Sequence, residues 1–329
     1  MRSTHLTAAL FLLAGAAVAG EEPKRLGPFG AECRIAFTPD GECLIATVRG
    51  GAAARVELET GRTITRYQGE RDESESALAV SPDGKRIALG TLEGRVRLFE
   101  TRSGQRLLAL EARGPVRSLA FSADGKALVT GGGPGVNPET GETDPASATA
   151  RVFDASTGLE LMAVDARSGN AGSGVAASPE GPVLAVARAD GKLELLDPSQ
   201  KKRRAIELQA PSRVAAFSAD GELVAALGGK DGAAVTLVHA GRGEVLRTCK
   251  PGKLPAGPDG ALAFSPDGRR LARSHPETPL VLVHSVESGH VVRAIELPQP
   301  ASSLAWSPDG ETLAVALRTG EVLLHRAGR

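Results

Sequence analysis

Three kinds of side chain in this 329-residue chain have the types and spacing to do chemistry. Carboxylates come first. An acidic residue followed by glycine recurs with the glycine at 41, 84, 125, 181, 221, 268 and 310. Paired carboxylates serve as general acids and bases, and clustered ones hold cations. Here each lies in a Ser-Pro-Asp-Gly-like phrase, where Asp bonds back to the local backbone and Gly takes the left-handed dihedral that closes a turn. The seven read as turn residues spread round one rim, not as a catalytic pair. Imidazoles come second. His239, His284 and His325 follow apolar stretches at equivalent places and read as surface residues, and His290 belongs to the turn and stretch after His284. Thiols come third. Cys33, Cys43 and Cys249 make an odd count, so at least one is free. Cys33 and Cys43 flank one turn and are placed either to bridge or to serve, like Cys249, as small buried hydrophobes. Neither CxxC nor HxxxH spacing occurs, nor a G-x-S-x-G elbow, nor a glycine loop opening a helix. No catalytic residue, metal site or cofactor follows from these residues.

The elements that carry them repeat. "AVSPDGKRIAL", "AFSADGKALVT" and "AWSPDGETLAV" are three of seven copies of one phrase, and successive turn glycines are 43, 41, 56, 40, 47 and 42 residues apart. Each copy has a short alternating stretch, the turn, a second apolar stretch such as "RIALG", a third such as "VRLFE", and a fourth such as "RLLAL". Period-two alternation marks strands. Four short antiparallel strands per roughly 40–45 residues is the signature of a β-propeller blade. The expectation is all-β: one seven-bladed propeller over residues 20–329. The last copy, ending "TGEVLLHRAGR", lacks a fourth stretch, and "PKRLGPFG" at 23–30 supplies one. Residues 24–29 are therefore expected to complete the last blade and close the ring.

"SALAVSPDGKRIALGTLEGRVRLFETRSGQRLLAL" (76–110) and "SLAFSADGKALVTG…ARVFDASTGLELMAV" (118–164) resemble the repeats of the WD40 family, and the resemblance extends over about residues 24–329. The family's Trp-Asp pair is replaced by Phe99-Glu100, Phe153-Asp154, Leu196-Asp197, Val238-His239 and Val283-His284. The Gly-His at the repeat start is missing too. The hydrogen-bond network built on those residues in the family is not expected here. TolB-like and YVTN-type propellers, which share the same turn, are alternative sub-families.

In a four-stranded blade the 1–2 and 3–4 turns lie on one face, and the 2–3 loops and blade connections on the other. The first set is uniformly tight here, and the long segments 69–76, 131–150, 166–174 and 249–260 all belong to the second. Variable loops on a rigid scaffold are where binding resides. The 131–150 insertion in blade 3 carries Asn137, Glu139, Glu142 and Asp144, oxygen ligands whose spacing matches no EF-hand loop. They read as partner-binding candidates on a polar loop. Arg117 and Arg213 stand at first-strand entrances, and Arg188, Arg273 and His275 at second-strand exits, all on this face. Arg273 replaces the Leu89, Val186 and Val315 of other blades. Such a cationic set near the channel mouth suits an acidic peptide or carboxylate. The "KKRR" run at 201–204 falls on an outer strand, where Lys and Arg discourage edge-to-edge pairing.

Formal net charge is zero, which argues against a nucleic-acid binder, since displacing counterions needs a basic face. Residues 1–19 read as a secretory signal: Arg2 and His5, then "LTAALFLLAGAAVA", ending in the small-x-small site Ala17-Val18-Ala19. The expectation is an exported, periplasmic or extracellular propeller without a membrane-inserted segment. It would bind a protein or peptide through its loop-rich face as a monomer or within a hetero-complex. The alternatives are a lactonase-like hydrolytic propeller with its site at the channel mouth, or a structural component of an envelope complex.

Overall fold

The computed structural model describes residues 22–327 apart from 49–51, 71–73, 133–134, 137–142, 145–148, 166–172, 182, 189, 198–199, 201, 209–210, 229–233 and 250–259. Seven four-stranded antiparallel sheets stand as blades around a channel. Their innermost strands are Ile35–Phe37, Glu75–Val80, Val116–Phe121, Ser173–Ala177, Ser212–Phe217, Leu262–Phe264 and Ala301–Trp306, for blades 1 to 7 in order.

Blade 2 shows why the sequence folds this way. It runs outward through Glu75–Val80, Arg86–Thr91, Arg95–Glu100 and Arg106–Glu111. Successive side chains of a strand point to opposite faces. Phe99, Ile87 and Leu89 therefore pack toward Tyr67 and Ala53 of blade 1. Val96, Leu98 and Ala88 pack toward Leu119, Phe121 and Leu128 of blade 3. Both faces are covered, so the two middle strands are apolar almost throughout while the outer strand is half exposed. Each blade seals only against its neighbours, and the core is a series of inter-blade seams.

The 1–2 turns form a ring of their own. Gly84 has φ +68°, and a Cβ there would come 3.2 Å from Pro39 of the preceding turn. Gly41 likewise faces Pro308 of blade 7, which joins the last turn to the first. Two long side chains also lock adjacent blades. Arg86 lies 5.6 Å over the Phe121 ring and donates to the Ala155 carbonyl at 3.1 Å, and Arg270 lies 5.0 Å over Trp306.

The ring closes as the sequence implies. Lys24–Leu26 is the outermost strand of blade 7, with Lys24 opposite Leu324 and Leu26 opposite Val322. The strand stops at Leu26 rather than Phe29. Beyond it, Phe29 N donates to Gly320 O at 2.9 Å and Glu32 N to Arg318 O at 3.1 Å.

Other boundaries move. In blade 3 the second strand continues to Gly132 and the third resumes at Thr149, and between them Gly135–Val136 pairs with Thr143–Asp144 as a small ribbon. Asn137, Glu139 and Glu142 lie outside the described residues. All three cysteines are free and buried, so Cys33 and Cys43 do not bridge. Lys202–Glu207 is the outer strand of blade 4, with Lys202, Arg203 and Arg204 exposed, and Lys201 lies outside the described residues.

The histidine reading is corrected. His284 and His325 lie within third strands, opposite Leu271 and Leu313, as Phe99 lies opposite Ile87. They stand at the Trp position of the repeat, so the pair in blade 6 is His284-Ser285, not Val283-His284. His284 is buried and His325 half-buried. His239 does sit one residue later, at the turn position of Asp154, where its Nδ1 accepts from Arg242 N at 3.3 Å.

Candidate binding site at the channel mouth

The inner strand of each blade has a sheet partner on one side only, and this permits bulges. In blades 2, 3, 5 and 7 the register with the second strand skips one residue: Ser76, Arg117, Arg213 and Ser302. A bulge re-aims the side chain of the extra residue. All four lie near the strand entrances, on the loop-rich face.

Ser76 and Ser302, together with Ser118 and Arg34, stitch inner strands together round the channel. Ser302 Oγ donates to Cys33 O at 3.0 Å, from blade 7 to blade 1. Ser76 Oγ donates to Val116 O, from blade 2 to blade 3. Val175 N donates to Ser118 Oγ at 3.0 Å, from blade 4 to blade 3. Arg34 of blade 1 reaches both neighbours, with Nε donating to Ser76 O at 3.0 Å and Nη1 to Ser302 O at 2.5 Å. The mouth between blades 7 and 3 is therefore rigid, and its scaffold is made mostly of carbonyls.

Its charge is positive. Burial lowers the pKa of Arg34, Glu32 opposes that, and Arg117 adds to it through like charge. Arg117 is exposed. Glu32 is exposed too and shares its carboxylate with Arg318 at 3.8 Å. Arg34 is committed to the Ser76 and Ser302 carbonyls, whereas an exposed guanidinium such as that of Arg117 can bind a carboxylate through forked hydrogen bonds. The Ser76 and Ser302 hydroxyls donate to backbone carbonyls. Among the described residues no three His, Cys, Asp or Glu side chains gather as metal ligands.

The residues singled out in the sequence fall in different settings. Arg117 is at the mouth. Arg213 occupies the corresponding bulge of blade 5. Arg188 is held by Asp190 at 2.8 Å and Glu194 at 2.6 Å, and Glu194 also binds Arg203 at 2.7 Å. Burial opposes the Arg188 charge, but the bonds to Asp190 and Glu194 prevail and raise its pKa. Arg273 is only 2% exposed, at the seam between blades 5 and 6, where burial pushes its pKa down to about 10 with Cys249 as an electrostatic neighbour. His275 is buried, and its Nδ1 lies 2.9 Å from the Thr278 hydroxyl, closing its own loop. Asp144 lies on the blade 3 ribbon. The mouth thus gathers Arg117 with Arg34, Ser76 and Ser302, which the sequence reading did not single out. A signal for Arg34 was available. Counting back seven residues from the turn glycine finds Ala77, Ser118, Val214 and Ser303 in other blades, and an arginine only here.

Comparison with known proteins agrees with this architecture. A family model described as "WD domain, G-beta repeat" matches residues 104–135, from the outer strand of blade 2 into the second strand of blade 3. The U3 small nucleolar RNA-associated protein 18 homolog of Arabidopsis thaliana is 35% identical over 104 residues, which are 31% of this chain and 19% of that protein. SEC12-like protein 2 of the same plant is 31% identical over 209 residues, 59% of this chain and 47% of that protein. The chain spans less than half the length of either curated relative.

Proposed function

We propose that this seven-bladed propeller, one stretch of which matches the "WD domain, G-beta repeat" model, is a protein-interaction scaffold that captures an acidic segment of a partner over the channel mouth, on its loop-rich face. The observation that carries this reading is the exposed Arg117 at the bulge of the blade 3 inner strand, on a mouth whose inner strands Arg34, Ser76 and Ser302 tie together; a guanidinium so placed can take a carboxylate of a partner segment. Export belongs to the same proposal and rests on the apolar run at 6–19 with its small-x-small site. The partner is then met in the cell envelope or outside the cell.

The test is titration of a hexaglutamate peptide into the protein and into Arg117→Glu. Arg34 is left in place because it also ties three blades together. Binding should weaken about tenfold or more in the variant and decline with added salt, as expected for a partly exposed charge contact. Equal affinity for both proteins would remove the mouth from consideration.

A further inference from the structure

The outer strand of a blade has an open edge, and an open edge must be kept from pairing with the wrong chain. Most blades do this by geometry. In blades 1, 2, 3, 5 and 6 the turn into the outer strand carries a glycine at positive φ, at 61, 104, 158, 243 and 289. The register with the third strand then skips one residue: Ile64, Leu107, Leu161, Leu246 or Val292. Such a bulge bends the strand and interrupts its edge. In blade 7 the outer strand, Lys24–Leu26, has only three residues.

Blade 4 does neither. Its turn, "DPSQKK" at 197–202, has no glycine. Lys202–Glu207 pairs with Lys192–Asp197 residue for residue, with no skip. One step past this ladder, Leu208 N donates to Gly191 O at 2.7 Å, which sets the phase. Opposed residues in an antiparallel pair alternate between exchanging bonds and not. Lys202, Arg204 and Ile206 therefore bond inward to the third strand, and Arg203, Ala205 and Glu207 present N–H and C=O groups to the open side. Residues 202–205 are all exposed.

What guards this edge is charge. Lys202 and Arg204 share one face of the strand, where Arg204 Nη1 donates to Gly241 O of blade 5 at 2.9 Å. Arg203, on the other face, bonds Glu194 at 2.7 Å. The nearby acids are engaged: Glu207 lies 3.3 Å from Lys192, and Asp197, opposite Lys202, accepts from Gln200 N at 3.1 Å. Three consecutive cations repel a second copy of the same edge. They attract an acidic strand, and a regular edge is the template such a strand needs.

We propose that Lys202–Glu207 adds an extended acidic segment of a partner protein as a fifth strand of blade 4. Backbone bonds to Arg203, Ala205 and Glu207 hold the segment, and acids at its alternate positions fall beside Lys202 and Arg204. This surface lies on the outer rim of the propeller and does not depend on the channel mouth.

The probe is an acetylated, fluorescein-labelled heptapeptide of alternating Glu and Thr. Beside it stand the same peptide with Lys in place of Glu, and two N-methylated forms, one methylated at the glutamate amides and one at the threonine amides. Edge pairing uses one set of peptide amides, so it is lost in at least one methylated form, whereas a contact through charge alone survives in both. Binding is read by fluorescence anisotropy on the full chain, on Ala205→Pro, on Lys202→Glu and on Arg117→Glu. Ala205→Pro removes an outward N–H and no ladder bond, and proline is accepted where an edge N–H faces solvent. The expected result is that the Glu peptide binds, the Lys peptide and at least one methylated form do not, and affinity drops about tenfold or more in Ala205→Pro and Lys202→Glu but not in Arg117→Glu. Should Ala205→Pro fail to fold, the methylated peptides and Lys202→Glu decide. Loss confined to Arg117→Glu would assign the peptide to the mouth and overturn edge pairing. So would undiminished binding of both methylated forms, the mark of charge alone, or the absence of any binding by the Glu peptide.

Discussion

His284 is a polar side chain at a position built for an apolar one. Phe99 and Phe153 fill it in blades 2 and 3, while the Nε2 atoms of His284 and His325 are buried with no hydrogen-bond partner among the described residues. Burial lowers both pKa values; Arg273 adds to the effect on His284, with the Gly289 carbonyl opposing, and Arg293 adds to it on His325. A histidine whose folded pKa lies below its unfolded value of about 6.5 binds its proton more readily when unfolded. Its neutral form therefore contributes full stability above that value, and the contribution is lost as pH falls below it. The melting temperature should drop between pH 7.5 and 5.5. His284→Leu should melt higher at pH 5.5, by about 1 kcal/mol of added stability, with a shallower pH slope, because a buried unsatisfied group costs about 1–3 kcal/mol. A parallel pH profile for the variant would refute this. The sequence located the histidines but not their orientation. "LVLVHS" is apolar on both faces, so alternation could not fix which residue faced the seam, and a slip of one residue reverses the face. Arg117 was legible at the mouth because a first-strand arginine is visible in the repeat. Arg34 was visible as the one arginine at its place in the repeat, but its role was not, because that depends on carbonyls in two other blades.

The turn between first and second strands is the element most fully legible in the sequence, since its chemistry is local. In blade 2, Asp83 Oδ1 accepts from Lys85 N at 3.0 Å and from the Ser81 hydroxyl at 2.6 Å, and the same pair of bonds recurs at Asp40, Asp124, Asp220, Asp267 and Asp309. Blade 4 departs, with Glu180 in the aspartate's place and Ser178 Oγ accepting from Glu180 N at 3.3 Å instead. Asp83→Ala should therefore cost about 1 kcal/mol in urea unfolding, the scale of a lost intramolecular hydrogen bond, whereas Glu180→Ala should cost almost nothing. Equal losses would mean that the aspartates act through something other than their turn bonds. The cross-blade contacts at the same level were not legible. Arg86 over Phe121 and Arg270 over Trp306 join residues in neighbouring blades, and which side chain meets which depends on the radial packing. The ends of the blade 3 insertion were misplaced for a related reason: the glycines at 131 and 132 and the threonine at 149 read as loop by composition, but neighbouring strands recruit them into the sheet.

At the scale of the whole molecule, seven turn glycines set the number of blades and the short last repeat located the closure, because both are properties of chain spacing. The seam between blades 7 and 1 is the ring's weld. Leu26 is 5% exposed and packs in one cluster with Val322, Leu44 and Ala316, joining blades 7 and 1. Lys24 adds to the join from the same strand, its Nζ donating to the carbonyls of Leu58 at 2.7 Å and Glu59 at 2.8 Å. A chain beginning at Gly30 would lose these contacts, and it would expose Val322–Arg326 as a new sheet edge. Burying one leucine contributes about 1.5–3 kcal/mol, and each of the lost hydrogen bonds about 0.5–1.5. At roughly 2–4 °C per kcal/mol for a domain somewhat smaller than this one, the melting temperature should fall by on the order of 10 °C. A chain beginning at Pro23 keeps the whole strand and should melt with the full-length protein. If the two shortened chains unfold at the same temperature, the N-terminal strand is an accessory to the ring rather than its closure.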